Sequence, residues 1–242
     1  STDLQNTFAS LEESEKEKGL MIAQLSHDIK TPLTSIQATV EGMLDGVIAA
    51  DEQQHYLKTI SRQTDRLNKL VEELSFITLN TMHEPDTLIE KEEIYLDKLL
   101  IDIMSEFQLV IDKEDRDIRI SVQPESAKII SNYDKLSRII LNLVSNAFKY
   151  SEAGTKLTID AAVDDNKRLT LTVADEGQGI KSEDLDKIFK RLYRVESSRN
   201  MKTGGHGLGL YIARELAHQL GGDIFVQSEY GQGSSFSLVL DI

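Results

Sequence analysis

The chain has 242 residues, of which 40% are hydrophobic, a formal net charge of -14 and no cysteine. This hydrophobic content is enough for a packed core, whereas the acidic charge disfavours a nucleic-acid binder, because a phosphate backbone attracts clusters of Lys and Arg. Without cysteine, a disulfide framework and a thiolate metal site are both excluded.

The first 80 residues carry apolar side chains at alternating intervals of three and four, which is typical of bundle or coiled-coil helices. The two series are Ile22, Leu25, Ile29, Ile36, Val40, Met43 and Val47, then Leu57, Ile60, Leu67, Val71 and Leu74. Residues 1–80 are therefore predicted to form a helical hairpin that turns between Gly46 and Asp51. Because two helices bury little alone, we expect a second copy to complete a four-helix bundle, as a homodimer.

His27 stands in the first helix within the run Leu-Ser-His-Asp-Ile-Lys-Thr-Pro-Leu. If Leu25 and Ile29 face the seam, His27 lies about 200° from each, at roughly 100° per residue, so its ring points to solvent. A neutral, exposed imidazole has a nitrogen lone pair for attack on phosphorus. Pro32 has no amide hydrogen to donate to Asp28, so the helix can bend one turn after the histidine.

This run resembles the phosphoacceptor box of the dimerisation-and-phosphotransfer domain of sensor histidine kinases. The resemblance implies that His27 accepts the phosphoryl group and that Asp28 acts as hydrogen-bond acceptor or base. It also implies that Thr31 orients water when phosphate is removed from the partner, the receiver domain of a response regulator. Successive helix residues diverge by about 100°, so contact between His27 and Asp28 requires suitable rotamers or local bending.

The periodicity lapses in a polar stretch that contains Pro85, and residues 81–91 are predicted to be a linker. From residue 92 to residue 242, helical and strand-like patterns alternate, which predicts a mixed α/β layer domain. The predicted helices span about 96–113, 134–150 and 207–220. The predicted strands are Asp117–Val122, Lys156–Val163, Arg168–Ala174, Asp223–Ser228 and Ser234–Asp241.

The predicted helix 134–150 has a polar stripe beside its buried one. The buried stripe consists of Leu136, Ile140, Leu143 and Ala147, and the polar stripe of Asn142, Asn146, Lys149 and Tyr150. A polar stripe is often only a solvated face. Two carboxamides one turn apart are also suitable oxygen ligands for Mg²⁺, and the lysine a suitable cation for triphosphate oxygens. The chain has no G-x-x-x-x-G-K-[ST] run, which excludes a P-loop fold.

Asp175 follows a predicted strand and opens the run Asp-Glu-Gly-Gln-Gly-Ile, with glycines at Gly177 and Gly179 and Ile180 at its end. Its carboxylate is an acceptor suited to the exocyclic amine of adenine, and the glycines permit close backbone approach. A plain turn after a strand has the same pattern. The last predicted helix begins with another glycine segment, which contains Gly205, Gly207, Leu208 and Gly209. Its backbone N–H groups and the positive end of the helix dipole could bind phosphates. The alternative reading of this segment is a flexible hinge.

The order of these segments resembles the Bergerat-type (GHKL) ATP-binding domain, which is an α/β sandwich. By this resemblance Asn146 is the principal Mg²⁺ ligand, Asn142 a supporting ligand, and Asp175 the residue that recognises adenine. The other nucleotide contacts would come from Lys149, Tyr150, Gly177, Gly179, Ile180, Gly205, Gly207, Leu208 and Gly209.

The charged stretch from Phe189 to Thr203 resembles the mobile lid of that family. Within it, Arg194 is the first candidate for contact with the γ-phosphate of ATP and Arg191 the second. The chain departs from the family at His206, where a small or hydroxyl residue is usual. The ring is expected to be a spacer that points to solvent, and a donor to phosphate is the alternative.

Together the two resemblances cover about residues 20–242 and imply an α+β, two-domain histidine kinase that uses ATP and Mg²⁺. An ATPase of the chaperone, topoisomerase or mismatch-repair kind shares the nucleotide site but has no reason to carry the His27 box. A dimeric scaffold that binds nucleotide without transferring phosphate is the third reading.

No apolar run reaches the ~20 residues that span a bilayer, and the chain begins at Ser1 rather than Met. We therefore expect a cytoplasmic fragment of a longer protein. Anchorage of that parent protein in the cell membrane, through the missing N-terminal region, is implied by the family resemblance alone.

Overall fold

The structure is a computed structural model that describes residues 2–81, 90–191, 193, 195 and 207–242. The chain divides into two compact units, Ser1–Met82 and His83–Ile242. The predicted linker, residues 81–91, lies for the most part outside the described residues. Within the described ranges, no helix is both long enough and apolar enough to cross a membrane.

The first unit is a helical hairpin, as the periodicity predicts. Helix α1 spans Thr2–Leu44 and helix α2 spans Gln53–Thr81. The chain leaves α1 through Gly46, which has φ +70°, a conformation that glycine adopts without steric cost. The amide of Ile48 then donates to the carbonyl of Gly42 at 3.0 Å, which satisfies one of the free carbonyls at the end of α1. The predicted turn is therefore confirmed.

Within one chain, the hairpin covers only part of its apolar surface. Leu25 of α1 and Leu70 of α2 are buried. Leu70 is not in the predicted seam, whereas its neighbour Val71 is in it and is 53% exposed. The predicted seam of α2 therefore lies partly on the outer face of the hairpin. Other exposed seam residues are Ile22, Val40, Val47 and Leu57.

The second unit is an α/β sandwich. In chain order its elements are β1 (Glu92–Tyr95), α3 (Leu96–Ser105), α4 (Gln108–Glu114), β2 (Asp117–Gln123), β3 (Lys128–Ser131), α5 (Tyr133–Tyr150), β4 (Lys156–Val163), β5 (Arg168–Asp175), a 3-10 turn (Ser182–Asp184), α6 (Gly209–Gln219), β6 (Gly222–Glu229) and β7 (Gly233–Asp241). Five strands form one sheet in the order β2-β4-β5-β7-β6. Strand β2 is parallel to β4, and the other neighbours are antiparallel. All five predicted strands are confirmed to within one residue at each end.

The core lies between one face of this sheet and the helices. Strand β5 alternates buried residues, Leu169, Leu171 and Val173, with half-exposed ones, as expected of a sheet covered on one side. Helix α5 buries the predicted stripe. Asn132 caps its N-terminus, where its side chain accepts a hydrogen bond from the amide of Lys135 at 2.9 Å. The Lys135 ammonium in turn donates to Gln219 of α6 at 2.8 Å, which links the two helices.

The start of this unit differs from the prediction in two features. The single predicted helix 96–113 is two helices, because the chain leaves the helical path at Phe107 and stacks this ring on Phe148, with centroids 4.9 Å apart. Strands β1 and β3 form a separate antiparallel pair that was not predicted. Each has only four residues, too few for a clear alternation, although Ile94 and Ile129 are buried.

Helix α6 is fixed to β6 by an ion pair. Arg214 donates to both carboxylate oxygens of Asp223, at 2.8 and 3.1 Å, and His218 Nε2 lies 3.0 Å from the same carboxylate. The hydrogen bond from Arg214 is the main cause that lowers the pKa of Asp223 to about 2, although burial opposes it. The guanidinium also lies over the ring of Phe189, 4.8 Å from its centroid.

We predict that Arg214→Met raises the pKa of Asp223 towards its ordinary value, as measured by NMR titration of the carboxyl carbon. Because the pKa of Asp223 is lower in the folded than in the unfolded chain, its ionised form stabilises the fold above pH ~4, and this contribution is lost as the pH falls towards ~2. The matched control is Arg168→Met, which removes a more exposed pair with Asp241. If the pKa of Asp223 stays at about 2 in Arg214→Met, the hydrogen bond from Arg214 is not the main cause of the low pKa.

Candidate functional site

His27 lies on α1 with its side chain 80% exposed, so the exposure predicted for it is confirmed. Its Nδ1 atom is 3.4 Å from Oδ1 of Asp28, although the two residues are neighbours on a helix. Thr31, one turn further, donates its hydroxyl to the carbonyl of His27 at 3.0 Å. Pro32 lies inside α1 and is buried. With Nδ1 directed at a carboxylate, Nε2 is the ring nitrogen that keeps a free lone pair.

In the second unit, Asn142, the first residue of the polar stripe of α5, faces the start of α6. The amide nitrogen of Asn142 donates to the carbonyl of Arg138 at 3.0 Å, which directs its Oδ1 away from that carbonyl. A Cβ placed on Gly209 would lie 3.0 Å from this Oδ1. Asn146 is half-buried one turn later, on the same face. The structure therefore brings the first carboxamide and the glycine segment together.

Lys149 and Tyr150 end the stripe at the last turn of α5. The ammonium of Lys149 lies 4.9 Å from the centroid of the Tyr150 ring. The carbonyl of Tyr150 accepts a hydrogen bond from the amide of Gln178 at 3.1 Å. The end of α5 is thus bonded directly to the loop that follows Asp175.

Asp175 is the last residue of β5 and is largely buried. Its carboxylate accepts the amide of Gly177 at 2.8 Å. Burial raises the pKa of Asp175, while hydrogen bonds from the amides of Gly177 and Ser234 and the charge of Arg116 act in the opposite direction. The loop ends at Ile180, whose amide donates to the hydroxyl of Ser228 at 2.8 Å.

The glycines of this loop make room for the protein's own backbone. A Cβ on Gly177 would lie 2.2 Å from the carbonyl oxygen of Tyr150, and one on Gly179 2.0 Å from that of Glu229. Real Cβ atoms do not approach this closely, so neither position accepts a side chain without movement. The predicted close backbone approach is therefore to α5 and to the β6–β7 hairpin.

Of the remaining candidates, Arg191 donates to the hydroxyl of Tyr211 on α6, and its guanidinium lies 4.7 Å from the centroid of that ring. Gly207 has φ +74°, and Leu208, which is buried, precedes the first turn of α6. The other members of the predicted lid and glycine segment that were singled out, Arg194, Gly205 and His206, lie outside the described residues.

Two residues at this site were not predicted from the sequence. Tyr211 holds Arg191, and Arg116, the residue before β2, reaches the end of α5. Arg116 precedes its partner Ser151 by 35 residues, so no local pattern links them. A lone arginine in a charged run is otherwise typical of a solvated surface.

Two family profiles match the chain. Residues 17–79 match the His Kinase A (phospho-acceptor) domain, and residues 131–242 match the histidine kinase-, DNA gyrase B- and HSP90-like ATPase. The histidine protein kinase SaeS of Staphylococcus epidermidis is 35% identical over 241 residues, which are 98% of this chain and 67% of SaeS. This chain belongs to the histidine protein kinase family. SaeS of Staphylococcus aureus is also 35% identical, over 99% of this chain and 68% of its own.

Solved histidine kinases share the fold. AdeS of Acinetobacter baumannii superposes with a TM-score of 0.70 at 24% identity, over 89% of this chain and 98% of AdeS. ThkA, solved in complex with the response regulator TrrA, superposes with a TM-score of 0.73 at 21% identity, over 95% of this chain and 63% of that one. The predicted fold class, family and enzyme class are therefore confirmed: the chain is a histidine kinase core with an ATP-binding domain of the GHKL kind.

We predict that Gly179→Ala weakens ATP binding to this kinase and destabilises it more than Gly231→Ala does. Both glycines have positive φ, at +67° and +88°, so alanine at either costs about 1–2 kcal/mol of conformational strain. Only at Gly179 does the new Cβ also meet backbone, whereas Gly231 has open space around it. Urea unfolding and ATP titration of both variants test this, and equal losses in the two would contradict it.

Proposed function

We propose that His27 takes the γ-phosphoryl group of ATP and passes it to an aspartate in the receiver domain of a response regulator. The observation that carries the proposal is the exposed imidazole of His27 with its Nδ1 atom at the Asp28 carboxylate. This arrangement leaves Nε2 as the nucleophile and supports the positive charge that develops on the ring during attack.

In the proposed step, Nε2 forms a bond to the γ-phosphorus while the bond from that phosphorus to the bridging oxygen breaks, and ADP leaves. The hydrogen stays on Nδ1 of the ring, directed at the Asp28 carboxylate. Such transfer depends mainly on position and electrostatics, because the phosphoryl group is only loosely bonded in the transition state. The phosphohistidine is then the donor to the aspartate of the response regulator.

The nucleotide is proposed to bind in the second unit between α5, the loop after β5 and the start of α6. Asp175, largely buried and fixed by the Gly177 amide, would accept the exocyclic amine of adenine. Lys149 and Tyr150 would contact phosphates or ribose from the end of α5, and Arg191 the γ-phosphate, once Tyr211 no longer holds it. The loop and helix start would contribute Gly177, Gly179, Ile180, Gly207, Leu208 and Gly209. The roles of Arg194 and Gly205 rest on the family resemblance alone.

The donor set fits Mg²⁺. Asn146 and Asn142 offer carboxamide oxygens, which are the hard, neutral ligands that Mg²⁺ accepts alongside phosphate oxygens and water. The amide nitrogen of Asn142 is already engaged by Arg138, so its oxygen is the end available to a cation. When bound, Mg²⁺ would neutralise phosphate charge. Asn146 is the proposed principal ligand and Asn142 the supporting one.

Two further proposals concern partners. The response regulator TrrA is seen bound to the neighbour ThkA, which supports a partner of this kind here. Thr31 would orient water for phosphate removal from that partner, after releasing its hydrogen bond to the His27 carbonyl.

The exposed apolar side chains of Val71, Leu57 and Val40 support a homodimeric four-helix bundle, and a sedimentation mass of one chain would contradict it.

The chain spans about two thirds of the length of the curated SaeS relatives, 67% and 68%. We propose that the two functional domains span residues 1–80 and 92–242 and that the parent protein is anchored in the cell membrane.

We predict that incubation with γ-labelled ATP and Mg²⁺ gives labelled protein that is acid-labile, alkali-stable and absent in His27→Gln. The matched control is His55→Gln, because His55 is also an exposed histidine of the hairpin but lies on α2. Release of phosphate without labelling of the protein would favour an ATPase instead. Nucleotide binding without labelling of the protein and without release of phosphate would favour a scaffold.

We further predict that Asn146→Asp abolishes labelling, since a carboxylate changes the Mg²⁺ coordination and adds negative charge beside the triphosphate. Asn166→Asp is the control, because Asn166 is exposed in the turn between β4 and β5. Labelling rates are measured across a Mg²⁺ titration. Full activity of Asn146→Asp would refute the metal assignment while leaving the role of His27 intact.

A further inference from the structure

The guanidinium of Arg116 is buried at the C-terminal end of α5, with 2% of its side chain exposed. It donates to the hydroxyl of Ser151 at 2.6 Å and to that of Thr155 at 2.9 Å. It also donates to the carbonyls of Ser151 and Phe148, at 2.9 and 3.3 Å, and pairs with Glu114 at 2.7 Å. A buried charge is tolerated only when its donors are satisfied in this way.

These bonds hold the last turn of the helix that carries the candidate nucleotide residues. The final carbonyls of an α-helix have no partner within the helix. Here the carbonyls of Phe148 and of Ser151, the residue after the helix, accept from Arg116, and that of Ala147 accepts from the Ser151 hydroxyl at 2.5 Å. The positive charge also lies at the negative end of the helix dipole. The carbonyl of Tyr150, between these positions, accepts the amide of Gln178 in the Asp175 loop.

The charge of Arg116 also reaches Asp175. Burial raises the pKa of this carboxyl, and Arg116 is the charged side chain, among the described residues, that acts to lower it. An ionised carboxylate accepts a hydrogen bond from an amine, whereas a protonated carboxyl donates one to a carbonyl. Without the arginine, the carboxyl of Asp175 would therefore shift towards its protonated form, which is a weaker acceptor for the adenine amine.

We propose that Arg116 is a positioning residue for adenine recognition, which it supports by fixing the end of α5 against the Asp175 loop. This inference rests on the proposed function of Asp175 as the adenine acceptor. A structural role alone explains a loss of stability in Arg116 variants, but it does not explain a change in which base the site prefers.

The test compares binding of ATP and inosine triphosphate, whose base has a carbonyl in place of the adenine amine. Arg116→Met should reduce the preference for ATP by about tenfold, the loss typical of one charged hydrogen bond, and the pH at which the preference disappears should rise. The matched control is Arg119→Met, because Arg119 lies three residues further along the chain, on β2, in an exposed pair with Asp117. An Arg116→Met protein that is folded by circular dichroism, and whose base preference equals that of the control, would overturn the proposal.

Arg116→Lys keeps the charge but loses the planar fork that reaches several acceptors. We expect it to retain the pH profile of the unaltered chain and to show a raised KM for ATP with little change in kcat. If the methionine variant does not fold, the lysine variant decides: an unchanged KM for ATP overturns the proposal. If the unaltered chain itself binds inosine triphosphate as well as ATP, the role of Asp175 fails, and the inference fails with it.

Discussion

The nucleotide half of this kinase depends on a close contact between backbones at the end of α5. The carbonyl of Tyr150 accepts the amide of Gln178, and its oxygen lies where a side chain on Gly177 would begin. On the other side of the same loop, Gly179 lies against the carbonyl of Glu229 in the β6–β7 hairpin. The loop is thus held between a helix and a hairpin, and this contact sets where Asp175 faces.

The two units have different physical demands. In the hairpin, the reactive side chain needs only exposure and an oriented ring, which α1 provides through His27 and its neighbour Asp28. In the α/β unit, burial works against the charge of the Asp175 carboxylate, which we propose as the adenine acceptor. The amides of Gly177 and Ser234 oppose that effect, and so does the buried cation of Arg116, which also bonds the end of α5. His27 is therefore supported by few contacts, whereas the Asp175 loop depends on several elements of the α/β unit.

Sequence patterns predicted the hairpin and all five strands of the main sheet, because 3.6-residue and two-residue periodicities report directly which face is buried. They failed where tertiary packing overrides local preference. The break at Phe107 comes from stacking on Phe148, and the partners of Arg116 lie 35 or more residues away. The sequence predicted close backbone approach at Gly177 and Gly179, but the groups that approach, the carbonyls of Tyr150 and Glu229, could be known only from the fold.

The most direct test of the central claim is to locate the phosphorus on the imidazole of His27, by ³¹P NMR of the chain after reaction with Mg²⁺ and ATP. The contact between Nδ1 and Asp28, at 3.4 Å, predicts phosphorylation at Nε2. A phosphorus bonded to Nδ1, or to a residue other than His27, would contradict the account.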